Sequence, residues 1–172
     1  MTCFKNNIRM KNIYVGIDNG GKGGLVAIDE DENIVAMTVM PMLKKDYDVS
    51  GIIDFFKKID FHDSKINVVL EKAHTLPTNG CKSNFTTGIR YGLMQGILSA
   101  LNISYQIVGP KVWQKNIFQG DTVKDTKEAS IKFCLQKYPQ EMWKGSERCA
   151  KYHDGITDAC CMACYCKRLF TK

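Results

Sequence analysis

The chain has 172 residues, of which 44% are hydrophobic and 24% charged, with a formal net charge of +6. That is the size and balance of one globular domain with its own core, and it argues against a disordered chain. No apolar run approaches the roughly 18 residues that a spanning helix needs, so no membrane partner is expected.

The opening stretch, "MTCFKNNIRMKN", is polar and basic and lacks the apolar segment of a secretory leader. Residues 1–11 read as a short, disordered lead-in to a single domain over residues 12–172. "NIYVGID" (residues 12–18) is apolar almost throughout, the mark of a strand buried on both faces, and it ends on Asp18. "GLVAID" and "NIVAMTVMP" are two more strands, joined by the acidic turn Glu30–Glu32, which predicts an antiparallel meander. "SGIIDFFKKID" predicts a short amphipathic helix from a Ser50 cap to Asp60. "KINVVLEKAH" is a fourth strand with Glu71 near its C-terminal end, and Thr75 to Asn84 is a turn-rich loop.

A helix follows from about Phe85 to Leu101, with Gly88, Gly92 and Gly96 at i, i+4 and i+8. Each glycine disfavours a helix interior by about 1 kcal/mol, so the ridge implies a close neighbour, either the sheet or a second subunit. "SYQIVGP" is a fifth strand stopped by Pro110. Asp125 to Pro139 is a capped amphipathic helix, and the last helix runs from Asp154 to about Leu169. The expected fold is α/β, with a five-stranded mixed sheet flanked by helices.

The eight cysteines would suggest disulfides only in an oxidising compartment. With no sign of export they read as reduced thiols, which places the chain in an intracellular, reducing setting. Four of them fall in "DACCMACYC", where small buried thiols on an apolar helix explain them without a metal knuckle. Charge is uneven. Residues 1–110 carry 12 Lys+Arg against 11 Asp+Glu, and residues 111–172 carry 12 against 7. The basic last third suits a polyanion such as nucleic acid, and equally an ordinary soluble surface.

Asp18 and Glu71 each lie at a strand end, and Asp154 and Asp158 lie one turn apart near the start of the last helix. Each alone has a plain structural role, as a turn residue, a surface acid or a helix cap. Together, on adjacent strands and an overlying helix, they would repel one another unless a hard divalent cation joined them. Open carboxylate sites suit Mg2+, with Mn2+ as a substitute, and two such ions support phosphodiester hydrolysis. Gly20, Gly21, Gly23 and Gly24 would then keep side chains clear of the ions and the phosphate, with Lys22 placed to meet a phosphate oxygen.

"GIDNGGKGGLVAID", "VVLEKAHTLPTNGCKSNFTTGIRYGLMQGIL", "VGPKVWQKNI", "KDTKEAS" and "YHDGITDA" span most of residues 13–165. In that order they resemble the RuvC-type Holliday junction resolvases of the ribonuclease H-like superfamily, and are most similar to the phage and plant-organelle branch. The resemblance implies a ribonuclease H-like fold with three antiparallel strands and then two parallel ones. It also implies two Mg2+ per site and a homodimer that nicks a four-way DNA junction symmetrically, for recombination or repair.

Carried over by motif, the catalytic and metal-binding residues are Asp18, Glu71, Asp158 and Asp154. Gly155 occupies the slot that some members use for the fourth acid. The expected DNA contacts are Lys22, Lys72, His74, Lys82, Phe85, Lys115 and Lys127. His74 and Phe85 are the candidates to probe the junction centre, although Phe85 also reads as a core residue at the helix start. The chain departs from the family in "DNGG", where "D-P-G" is usual. A ribonuclease H-type enzyme for RNA–DNA hybrids and a catalytically inactive binder of branched nucleic acid are the alternatives. An actin-like ATPase also opens on "G-I-D-x-G", but it needs two lobes around its nucleotide. No small-molecule cofactor is implied.

Overall fold

The structure is a computed structural model that describes residues 10–59, 62–74, 77–119 and 125–171. The lead-in expected before residue 12 therefore lies, as far as residue 9, outside the described residues. Strand β1 (Lys11–Asp18) pairs antiparallel with β2 (Gly24–Ile28), which pairs antiparallel with β3 (Ile34–Val39). A two-residue hairpin, β4 (Met42–Leu43) and β5 (Asp46–Tyr47), leads into helix α1 (Val49–Lys58). Strand β6 (Ser64–Glu71), helix α2 (Cys81–Ala100), strand β7 (Ser104–Val108) and helices α3 (Pro110–Ile117), α4 (Thr126–Lys137) and α5 (Asp154–Phe170) follow. The main sheet has the order β3-β2-β1-β6-β7, with β6 parallel to both β1 and β7. This is the five-stranded mixed sheet that the sequence predicts.

Several boundaries differ, each for a local reason. Asp48, not Ser50, caps α1, because its carboxylate accepts from the Gly51 amide at 3.1 Å. Helix α2 begins at Cys81, four residues before the expected start at Phe85, so Lys82 belongs to the helix and not to the loop. Its first turn is polar and its cap, Gly80, makes no side-chain hydrogen bond, which hides the start from a reading of periodicity. Pro110 both ends a strand and opens α3, where its missing N–H is one that a helix start leaves free anyway.

Alternation along the strands divides the core into two layers. Ile13, Val15 and Ile17 of β1 and Val68 and Leu70 of β6 pack toward α1 and α2. Tyr14 and Val69 face the other way, toward α3, α4 and α5. Gly16 shares the face of Tyr14. A Cβ there would collide with the backbone of Ala159, Met162 and Ala163, so α5 rests its main chain directly on β1. The buried cysteines 160, 161, 164 and 166 all lie on α5, as small thiols filling that layer. Burial pushes the Cys161 thiol up, as it does Cys134 on α4, which keeps them protonated and inert.

The glycine ridge of α2 is a correction. Nothing lies within 4 Å of where a Cβ would sit on Gly88, Gly92 or Gly96. The helix packs through its opposite face, by Met94, Ile97 and Leu98, so the ridge does not press on the sheet. Phe85 lies on the open side at 70% exposure and is not a core residue.

Two glycine substitutions should move stability in opposite directions. Gly16→Ala should lower the unfolding free energy by about 1–3 kcal/mol through overpacking. Gly92→Ala should raise it by roughly 0.5–1 kcal/mol through helix propensity. Urea denaturation, at concentrations where the chain is monomeric, measures both.

Candidate active site

The parallel pairing of β1 with β6 sets Ile17 opposite Leu70, so Asp18 and Glu71 end neighbouring strands side by side. The same alternation that sends Tyr14, Gly16 and Val69 toward α5 sends Asp18 and Glu71 there too. Helix α5 then brings its first turns over these strand ends. Gly24, paired with Asp18, would meet the Gly155 carbonyl at 2.9 Å and the Ile156 Cα at 3.0 Å if it carried a Cβ. A Cβ on Gly155 would lie 2.6 Å from the Gly23 Cα. Gly23, Gly24 and Gly155 therefore serve close packing between the turn and α5, which seats Asp154 and Asp158 above the strand ends.

The four acids share one electrostatic environment. Glu71 rises to about 7, first through burial and then through the charge of Asp18, while a hydrogen bond from Trp113 opposes the shift. Asp158 rises to about 7 through burial, opposed by a Ser130 hydrogen bond and reinforced by Asp18 and Asp154. Burial raises Asp18 too, and the Gly20 amide, donating to its Oδ1 at 2.9 Å, counters this. Asp154 goes the other way. Its Oδ2 is 2.5 Å from Lys127 Nζ, and that contact holds its carboxylate below the ordinary range.

Two supporting residues were not read from the sequence. Trp113, fully buried on α3, donates its indole N–H to Glu71 Oε1 at 3.1 Å and fixes that carboxylate's orientation. His153 caps α5, with Nδ1 accepting from the Ile156 amide at 3.2 Å, and so fixes the start of the helix that carries Asp154 and Asp158. Nothing in a linear pattern signals Trp113, since 42 residues separate it from Glu71.

The expected DNA contacts divide. Lys127 turns into the acid cluster and pairs with Asp154. Lys22, Lys72, His74, Lys82, Phe85 and Lys115 are exposed. Lys22 sits in the turn after Asp18, Lys72 and His74 just beyond Glu71, Lys82 and Phe85 in the first turns of α2, and Lys115 near the end of α3.

Among the described residues, no three acidic, histidine or cysteine side chains are gathered so as to hold a metal ion as they stand. The donor chemistry nonetheless suits one. Asp158 Oδ1 is buried without a hydrogen-bond partner, and burial, reinforced by like charges, raises Glu71 and Asp158. A hard divalent cation would relieve both, with Asp18, Glu71 and Asp158 as the oxygen donors.

Because Asp158 binds its proton more tightly folded than unfolded, ion-free stability should fall as pH rises from about 4 to 7 and stay reduced above that. Asp158→Asn cannot ionise and escapes this loss. In chelator its melting temperature should exceed the parent's at pH 8 by roughly 2–6 °C, for about 1–2 kcal/mol after solvent screening. The two should converge near pH 4. Scanning calorimetry across that range checks it.

No protein-family model matches the chain, and no curated protein sequence matches it. Solved structures do. The Thermus thermophilus RuvC structure aligns at TM-score 0.59 and 14% identity over 92% of this chain and 97% of that one. T. thermophilus RuvC in complex with Holliday junction substrate aligns at TM-score 0.53 and 12% identity, over 90% of each chain. The five-stranded sheet with its flanking helices is thus the ribonuclease H-like fold, similar to that of RuvC.

Proposed function

We propose that this chain is a metal-dependent, structure-selective DNA endonuclease that resolves four-way junctions, cutting opposed strands as a homodimer. The observation that carries the reading is that Asp18, Glu71 and Asp158 lie within electrostatic reach of one another at the C-terminal ends of β1 and β6 beneath α5. The motifs shared with the phage and plant-organelle branch, and a fold similar to a protein solved with a Holliday junction, support the substrate.

Two Mg2+ ions held there would supply Lewis-acid activation of the scissile phosphodiester and of the attacking water. Asp18, Glu71 and Asp158 are the residues that would bind and orient those ions. Trp113 keeps Glu71 turned inward, and Lys127 holds Asp154 at the rim. The exposed cations Lys22, Lys72, Lys82 and Lys115 face solvent, free to meet phosphates. Exposed Phe85 offers a flat apolar ring for an unpaired base. Phe85, Gly88, Ile89, Gly92 and Gly96 form one open stripe along α2, where two helices could approach backbone to backbone.

A labelled four-way junction with Mg2+ should be nicked symmetrically, in preference to an RNA–DNA hybrid or plain duplex. Asp18→Asn should abolish cutting and keep junction binding. Cutting by Asp18→Asn at the parent rate, or preferred cutting of the hybrid, would overturn the proposal. Trp113→Phe should slow junction cutting by roughly 10–100-fold, the usual effect of losing a partner behind a ligand. Single-turnover assays read that loss.

A further inference from the structure

We infer that Tyr47 and Arg90 are positioning residues, a brace that fixes the turn after Asp18 and ties it to helix α2. The inference rests on the reading of Asp18 as a metal ligand.

The turn itself, "NGGKGG", has little rigidity of its own, since glycine restricts the backbone least. Inside it the Gly23 amide donates to the Gly20 carbonyl at 2.9 Å, and the Gly20 amide donates to Asp18 Oδ1 at 2.9 Å. Whatever holds residues 19–23 in place therefore also sets which way Asp18 points.

The hold comes from outside the turn. Tyr47, at the end of the small hairpin, is buried to 5% exposure and donates its hydroxyl to the Asn19 carbonyl at 2.6 Å. The same oxygen lies 3.0 Å from Asn19 Oδ1. Asn19 is itself only 8% exposed, and Tyr47 is near enough to Asp18 to feel its charge. Above Tyr47 lies the Arg90 guanidinium, 5.7 Å from the ring centroid. One of its nitrogens donates to the Lys45 carbonyl at the hairpin tip, and the guanidinium covers Gly21 so closely that a Cβ there would overlap it. Arg90 thus joins three segments that are far apart in sequence: the turn after Asp18, the β4–β5 hairpin and α2.

The position of Arg90 on α2 gives the brace its consequence. Its neighbour Ile89 and, one turn earlier, Phe85 lie on the exposed face of the helix. A displacement of that face, by a nucleic acid or a second copy, is passed through Arg90 and Tyr47 to Asn19 and so to Asp18.

The test compares the parent with Tyr47→Phe, which keeps the ring beneath the guanidinium and removes only the hydroxyl. Arg90→Gln, at a half-buried site, is a second variant in case the first folds poorly. Hydrogen exchange in chelator should show faster exchange at the Gly20 to Gly24 amides in both variants, with the amides of β6 unchanged. Calorimetric titration with Mn2+ should show affinity weakened by roughly tenfold, the scale expected for a partner behind a ligand. Junction cutting should fall while junction binding stays as in the parent. Unchanged exchange and unchanged Mn2+ affinity in a folded variant overturn the brace. So does a loss of junction binding that accounts for the whole loss of cutting, since it makes Arg90 a DNA contact. If exchange and Mn2+ affinity shift but the parent cuts no junction, the brace stands and the endonuclease reading falls.

Discussion

The direct contact of α5's main chain with β1 is the constraint on which the rest depends. It exists because Gly16, in the middle of a buried strand, has no side chain to hold the helix away. A second contact, Gly23 and Gly24 against Gly155, pins the start of the same helix. With two points fixed, the rotation and height of α5 are set, and Asp158 has no choice but to face the ends of β1 and β6. Packing geometry thus holds within electrostatic reach carboxylates that their own charges would drive apart.

The electrostatics follow from that enforced proximity. Glu71 and Asp158 are held near neutral pH by burial and, after it, by the charge of Asp18, whereas Asp154, at the rim, has Lys127 as a counter-ion. The cluster is graded, with the three buried acids Asp18, Glu71 and Asp158 all raised and only the rim acid lowered. Such a gradient suits a site that takes up a cation from solution, because the groups with most to gain from a positive charge are also the deepest. The Trp113 indole and the Gly20 amide contribute orientation and no net charge.

Much of this was legible in the sequence because it is written in local pattern. Apolar runs that end on Asp18 and Glu71, a serial order of strands and helices, and two acids one turn apart are all visible within short windows. The residues that escaped notice act across long separations. Trp113 meets Glu71, Tyr47 meets Asn19, and Arg90 meets Lys45, each pair joined only by tertiary packing. The α2 glycines misled for a related reason. Spacing shows that a helix face is smooth, but not whether a neighbour lies against it. The short hairpin escaped because each strand is two residues long and its turn places Lys44 at a φ of 58°, which no periodicity announces. The glycines after Asp18 suggested room for a substrate, and part of what they provide is room for a helix.

The wide spread of the acids along the chain, from Asp18 to Asp158, has a kinetic meaning. Strand β1 leaves the ribosome early, yet the carboxylates cannot assemble until α5 has been synthesised and docked, because no local contact brings them together. A nascent or truncated chain without that helix lacks both a large share of one core layer and two of the four acids, Asp154 and Asp158. Order of synthesis thus acts as a safety catch, delaying assembly of the acid cluster until the whole domain is in place.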